Sequence, residues 1–214
     1  MVHLLLKWFV PNYEQTESDA VRERYGFLSG MVGIICNIIL FVLKYIMGVL
    51  SGSVSIISDA FNNLSDSGSC ILTLVGYKMA AKPADKDHPF GHGRMEYLFS
   101  LIIAVIIVLV GVELFQSSFD KIFHPKAVTF SWFVLAALLL SVGVKLWMAY
   151  FNNRLGKMIN SSIMQATAKD SLSDVIATTT TIIALVASKF TPLPLDGIMG
   201  CVVSLFIFFA GYSI

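Results

Sequence analysis

Long apolar runs alternate with short polar segments along most of the chain. A helix needs about 20 apolar residues to cross the hydrocarbon core of a bilayer, and six runs of that kind follow residue 24. They cover Phe27–Leu50, Ser53–Met79, Tyr97–Phe119, Phe130–Phe151, Ile163–Ser188 and Leu195–Ile214. The pattern therefore predicts an all-α fold in which residues 25–214 form a six-helix transmembrane bundle.

The first 24 residues have a different pattern. A short apolar patch around His3 and Lys7 is followed by the polar stretch EQTESDAVRER. This patch is too short, and becomes polar too soon, to be a secretory signal peptide. We expect residues 1–24 to be a cytoplasmic amphipathic segment whose lead-in helix lies on the membrane surface.

The distribution of lysine and arginine orients the bundle, because cytoplasmic segments carry an excess of these residues. With the N-terminus inside, nine basic residues fall on the cytoplasmic side and three on the outer side. The cytoplasmic set is Lys7, Arg22, Arg24, Lys78, Lys82, Lys86, Arg94, Arg154 and Lys157, and the outer set is Lys121, Lys126 and Lys189. Six spans then return the C-terminus to the cytoplasm, so both termini are predicted to be cytoplasmic.

Composition agrees with a membrane protein. The chain is 56% hydrophobic and 14% charged, whereas soluble domains are about 25% charged. The net charge of +1 gives no reason to expect a nucleic-acid partner. Cys36, Cys70 and Cys201 all lie in apolar runs, and their spacing forms neither a disulfide framework nor a zinc motif. We expect an integral protein of the plasma (inner) membrane, with the lipid bilayer as its partner.

Two predicted spans carry polar pairs near their centres. Asn62 and Asp66 are four residues apart in the second span, and Asp170 and Asp174 repeat that spacing in the fifth. Residues four apart share one face of a helix, about 6 Å apart along its axis. No basic residue is expected at the same depth, and carboxylates packed together must be protonated or must hold a cation. Hydrogen bonding to neighbouring helices is the alternative, purely structural role.

The remaining charges inside the spans are interpreted separately. Lys44 and Asp59 lie about equally far from the tight turn near Gly52, which predicts a structural ion pair between antiparallel neighbours. Lys145 falls near the inner end of the predicted fourth span. Glu113 falls near the outer end of the third, so no pair between them is expected. Both are predicted to extend to the interface or to a water-filled cavity.

Four motifs together resemble the cation diffusion facilitator family, whose members are six-span metal/proton antiporters. The motifs are SDAFNNLSDS in the second span, HPFGHGRMEYL after it, DSLSDV in the fifth span and LDGIMG at the start of the sixth. The resemblance implies that Asn62, Asp66, Asp170 and Asp174 are the four ligands of the transport site. It also implies a homodimer. The resemblance implies no cofactor other than the transported cation, and no enzymatic activity.

Most family members continue into a cytosolic α/β domain that dimerises and often binds metal, and this domain is absent from the sequence. We expect the chain to be a fragment of a longer protein or a short natural member.

The identity of one ligand indicates the metal. Zinc-transporting members of the family typically carry histidine at the position matching Asp170. A set made only of oxygen ligands favours manganese, because zinc and copper prefer imidazole and sulfur. The sequence thus predicts a divalent metal cation/proton antiporter that exports manganese(II) from the cytosol. Zinc or iron(II) efflux by the same site is the alternative.

The loop after the second span contains a further candidate site. In some relatives the positions matching Asp85, His88 and His92 bind a second metal ion. A surface loop whose histidines cap the adjoining spans is the alternative, because Pro89 and Gly91 disfavour a regular helix there. A zincin site is excluded, because HPFGH lacks the glutamate that follows the first histidine of an HExxH motif. A membrane-embedded metal hydrolase using His88, His92 and Glu96 is another alternative, but the sequence indicates neither an activated water nor a substrate groove for it. A passive cation channel is a further alternative.

Overall fold

The chain forms helices almost throughout the part that the structure describes. This computed structural model describes residues 2–11, 13–16, 18–80, 93–124, 128–188, 190 and 193–213. These residues form seven helices and no strand, which confirms the predicted all-α fold. The helices are α1 (Val2–Phe9), α2 (Asp19–Ser51), α3 (Val54–Ala80), α4 (Gly93–Phe123), α5 (Trp132–Met158), α6 (Ser162–Ala187) and α7 (Leu195–Ser213). Each predicted span coincides with one helix from α2 to α7.

Several helices are apolar enough to lie in a bilayer. By length and composition, three helices of the described part could cross a membrane, namely α2 from Val21 onward, α5, and α6 from Ile163 onward. A shorter apolar stretch, Leu195–Phe209, lies in α7. The outer surface of α2 exposes large apolar side chains, including Ile35, Ile39, Val42, Ile46 and Leu50. Charged side chains such as Lys44, Asp59 and Lys145 are instead buried. This is the distribution expected where lipid rather than water surrounds the bundle.

Helix α3 lies at the centre of the bundle. It contacts α2, α4, α6 and α7. The two pairs of helices joined by the shortest connections also pack together: α2 packs on α3, and α5 packs on α6. α2 also contacts α5, and α4 packs along α7. As a result the polar faces of α3, α5 and α6 meet inside the protein.

A tight turn joins α2 to α3 and fixes their relative register. Gly52 has φ 67° and ψ 24°, a left-handed conformation that glycine adopts without a steric penalty. The amide of Ser53 donates to the carbonyl of Gly48 over 3.0 Å, which closes the end of α2. A side chain at Gly48 would meet Ile57 at 2.6 Å, so this glycine allows the two helices to approach closely. We call the end of the bundle at this turn the outer end.

The end of α5 lies further along the chain than predicted. The sequence analysis ended this span at Phe151, whereas α5 continues seven residues further, to Met158. The chain then turns at Asn160, which has φ 52°, and Ser161 caps α6 by accepting a hydrogen bond from the Met164 amide over 3.4 Å. The extension moves the midpoint of α5 toward the C-terminus, which changes the predicted depth of its polar residues.

The N-terminal segment contains the predicted short helix, α1. Leu6 of α1 and the following Val10 are buried in a cluster with Tyr25, Phe151 and Leu155, so the segment packs against the ends of α2 and α5. The Tyr25 hydroxyl donates to the carbonyl of Tyr13 over 2.9 Å. Trp8 and Phe9, near the end of α1, are exposed. α2 begins at Asp19, so this helix continues across the predicted boundary at residue 24.

Candidate metal centre

Three carboxylates lie close together in the middle of the bundle. Asp66 is near the centre of α3, and Asp174 near the centre of α6 with Asp170 one turn before it. Each offers an oxygen, and these oxygens all lie within 4.8 Å of one another. We call these three residues the carboxylate cluster. Groups this close can share one cation, because carboxylate oxygens are the usual ligands of hard divalent ions.

Asn62, the fourth predicted residue, also reaches the carboxylate cluster. Its Nδ2 donates a hydrogen bond of 2.7 Å to Oδ1 of Asp174. The structure thus brings together all four residues that the spacing of the sequence selects. In this arrangement the amide presents its nitrogen, rather than its oxygen, to Asp174. The amide would have to turn before its oxygen could become a metal ligand together with that carboxylate.

Lys145 also lies at the carboxylate cluster, and here the sequence analysis is wrong. Its Nζ donates to Oδ2 of Asp66 over 2.8 Å and to Oδ2 of Asp174, and its side chain is only 2% exposed. Because α5 ends at Met158, Lys145 is at the centre of this helix and not near its inner end. The expectation of no basic partner in register therefore fails for Asp66 and Asp174. Glu113, which was grouped with Lys145, is exposed.

The members of the carboxylate cluster differ in exposure. Asp174 is buried and Asp66 is partly buried, whereas Asp170 is exposed. Asp170 forms no hydrogen bond or ion pair with any residue of the described part of the chain. Lys169, its neighbour in sequence, is also exposed and contacts none of these carboxylates. Asp170 is thus the exposed member of the carboxylate cluster and Asp174 the buried one.

A second buried ion pair lies between the carboxylate cluster and the outer end. Lys44 of α2 and Asp59 of α3 are 2.8 Å apart, and both side chains are 1% exposed. The Thr178 hydroxyl of α6 accepts from Lys44 and donates to Asp59, each over 2.9 Å. The predicted pair between Lys44 and Asp59 is confirmed. This layer joins α2, α3 and α6 between the carboxylate cluster and the outer end.

The outer end itself is held by Asp196, at the start of α7. Its carboxylate accepts from the hydroxyls of Ser53 and Ser55, the latter over 2.7 Å. It also accepts from the Val54 amide over 3.0 Å and from Lys121 over 2.7 Å. One side chain thus caps the start of α3 and connects it to α4 and α7. The sequence analysis did not select Asp196 or Lys121, although Asp196 belongs to the motif LDGIMG.

The candidate second metal site cannot be compared with the structure. Asp85, His88 and His92 lie outside the described residues, as do Pro89 and Gly91. The second site remains a prediction.

Known proteins resemble the chain over most of its length. A family model described as the cation efflux transmembrane domain matches residues 30–214. An uncharacterized transporter of Methanocaldococcus jannaschii is 32% identical over 83% of this chain and 62% of its own length. Manganese efflux system protein MneS of Bacillus subtilis is 32% identical over 86% of this chain and 66% of its own length. Magnetosome protein MamM of Paramagnetospirillum magneticum is 30% identical over 77% of this chain and 52% of its own length. The chain thus spans between about half and two thirds of the length of these curated relatives.

Proposed function

The chain belongs to the cation efflux family, the cation diffusion facilitators, and on this premise we propose that it exports manganese(II) from the cytosol in exchange for protons. Members of this family are membrane transporters. We place the protein in the plasma membrane with residues 1–24 on the cytoplasmic side. A homodimer is the proposed assembly.

The observation that carries this proposal is the carboxylate cluster. Asp66, Asp170 and Asp174 offer oxygens within 4.8 Å of one another at the centre of two neighbouring helices. We propose that they bind the transported ion together with Asn62. Oxygen-only sets suit manganese better than they suit zinc, which gains more from imidazole. One manganese efflux protein, MneS, is among the relatives described above.

Exchange for protons follows from the chemistry of the same oxygens. A carboxylate must be ionised to bind a metal ion, so protons and metal compete for it. In the proposed cycle the carboxylate cluster takes up the ion from the cytosol, while the buried layer of Lys44, Asp59 and Thr178 keeps the outer side closed. The helices then move to an outward-open arrangement, where protons displace the ion. The protonated site returns to the inner side.

Transport into proteoliposomes tests the proposal. Uptake of Mn²⁺ is followed with a dye that manganese quenches, with and without a pH gradient. Asp174→Ala should abolish uptake because it removes a ligand from the buried centre, whereas Asp120→Asn changes an exposed carboxylate and should preserve it. Mn²⁺ uptake that ignores the gradient would refute proton exchange. If the gradient drives uptake of Zn²⁺ or Fe²⁺ faster than uptake of Mn²⁺, then that ion, and not manganese, is the cargo. Single-channel currents would indicate a channel.

A further inference from the structure

Lys145 places a positive charge where the proposed function requires a metal ion. Its amine lies between Asp66 of α3 and Asp174 of α6, and donates to both carboxylates. The side chain is 2% exposed, so neither water nor a lipid headgroup can replace these two partners without rearrangement. The described structure thus contains a lysine ammonium within the carboxylate cluster.

Lys145 compensates part of the negative charge of the carboxylate cluster. Ionised Asp66, Asp170 and Asp174 together carry three negative charges, and Lys145 reduces the sum to two. Buried carboxylates without a compensating cation are strongly destabilising. Lys145 provides that compensation in the absence of metal.

The oxygens that a metal ion would need are already in use. Both oxygens of Asp174 accept hydrogen bonds, Oδ1 from Asn62 and Oδ2 from Lys145, and Oδ2 of Asp66 also accepts from Lys145. Asp170 is exposed and carries no such bond. An arriving cation finds Asp170 without such a bond, but it gains Oδ2 of Asp66 and Oδ2 of Asp174 only as the ammonium withdraws.

We propose that Lys145 is a tethered counter-cation that competes with the transported metal for Asp66 and Asp174 and thereby sets the affinity of the site. This inference rests on the proposed function. A site whose binding-competent state is populated one tenth of the time binds about tenfold more weakly than the free site. Such weakening favours release of the ion. It also keeps the carboxylates compensated while the empty transporter changes conformation.

Calorimetric titration of Mn²⁺ into purified protein tests the inference at a fixed, mildly alkaline pH. Lys145→Met removes the charge and keeps the length of the side chain, and it should tighten binding by about tenfold or more. Lys145→Arg keeps the charge and should bind no more tightly than the wild type. The matched control is Lys169→Met, which removes an exposed charge beside Asp170 and should change the affinity by less than about threefold. Unchanged or weaker binding by folded Lys145→Met would overturn the inference.

A measurement on the wild type covers the case in which Lys145→Met does not fold. Reductive methylation with mass spectrometry compares Lys145 with Lys44, an equally buried lysine that is paired away from the carboxylate cluster. Saturating Mn²⁺ should accelerate methylation of Lys145 and leave Lys44 unchanged. Equal labelling of Lys145 with and without Mn²⁺ would contradict displacement. If the wild type binds none of Mn²⁺, Zn²⁺ and Fe²⁺, the proposed function fails. If it binds one of them without these effects, only the inference fails.

Discussion

The buried pair of Lys44 and Asp59 provides a quantitative test of the packing around the site. Lys44→Met leaves the Asp59 carboxylate buried, with the Thr178 hydroxyl as a remaining donor at 2.9 Å. Removing one member of a buried ion pair costs about 3–5 kcal/mol. One retained hydrogen bond offsets about 1 kcal/mol. We therefore expect Lys44→Met to lower the free energy of unfolding by about 3 kcal/mol.

The double variant separates the ion pair from other effects of each substitution. Asp59→Asn alone leaves Lys44 charged and buried, and should cost a similar amount. Combining Lys44→Met with Asp59→Asn removes both charges, so the double variant should lose only about 1 kcal/mol. The coupling energy in the double-mutant cycle would then be several kcal/mol, far above the additivity error of about 0.5 kcal/mol.

The assay is reversible unfolding in mixed detergent micelles, followed by tryptophan fluorescence. The control is Asp120→Asn, since Asp120 pairs with His124 at the surface and both side chains are more than two-thirds exposed, at 72% and 76%. Exposed ion pairs contribute less than about 1 kcal/mol. Additive losses in the double variant, or a loss for Lys44→Met no larger than for Asp120→Asn, would refute the assignment of Lys44 and Asp59 as a coupled buried pair.

Three other variants have defined expected outcomes. Asp170→His introduces an imidazole in place of the exposed carboxylate, so the preference in uptake from a mixture of Mn²⁺ and Zn²⁺ should shift toward Zn²⁺. An unchanged preference would contradict the assignment of Asp170 as a ligand. Asn62→Ala should retain measurable uptake with an altered preference among divalent ions, because Asn62 contacts the cluster through Asp174; complete loss in a folded variant would give the amide a larger role. Asp196→Ala leaves Lys121 buried without its carboxylate and should lower the free energy of unfolding by about 3 kcal/mol in the same micelle assay; a loss below about 1 kcal/mol would argue against a structural role.

The two buried lysines show which features of the site the sequence can predict. The turn at Gly52 is short, so nearly equal distances from it place Lys44 and Asp59 at one depth, and their pairing follows. Lys145 has no such reference point. The apolar run ends near Phe151, but α5 continues through polar residues to Met158, and hydropathy does not detect a helix that extends beyond the apolar region. An error of two turns at one end was enough to hide the partner of two carboxylates.

The rotation of helices and the orientation of amides also depend on the folded protein. Spacing places Asn62 with Asp66 on one face, and Asp170 with Asp174 on another, and these faces do meet. Spacing does not reveal that Asp170 is exposed while Asp174 is buried, because packing against α3 and α5 sets the rotation of α6. Nor does it reveal that Asn62 presents its nitrogen to Asp174, since local hydrogen-bond partners decide that orientation.

The location of a bound manganese ion tests the central claim most directly. Crystals of the protein soaked in Mn²⁺ and measured at the manganese absorption edge give an anomalous difference map that locates the ion without reference to any function. The account predicts a peak in contact with the carboxylates of Asp66, Asp170 and Asp174. A map with no peak there, while manganese binds only at Asp85, His88 and His92 or at the protein surface, would contradict it.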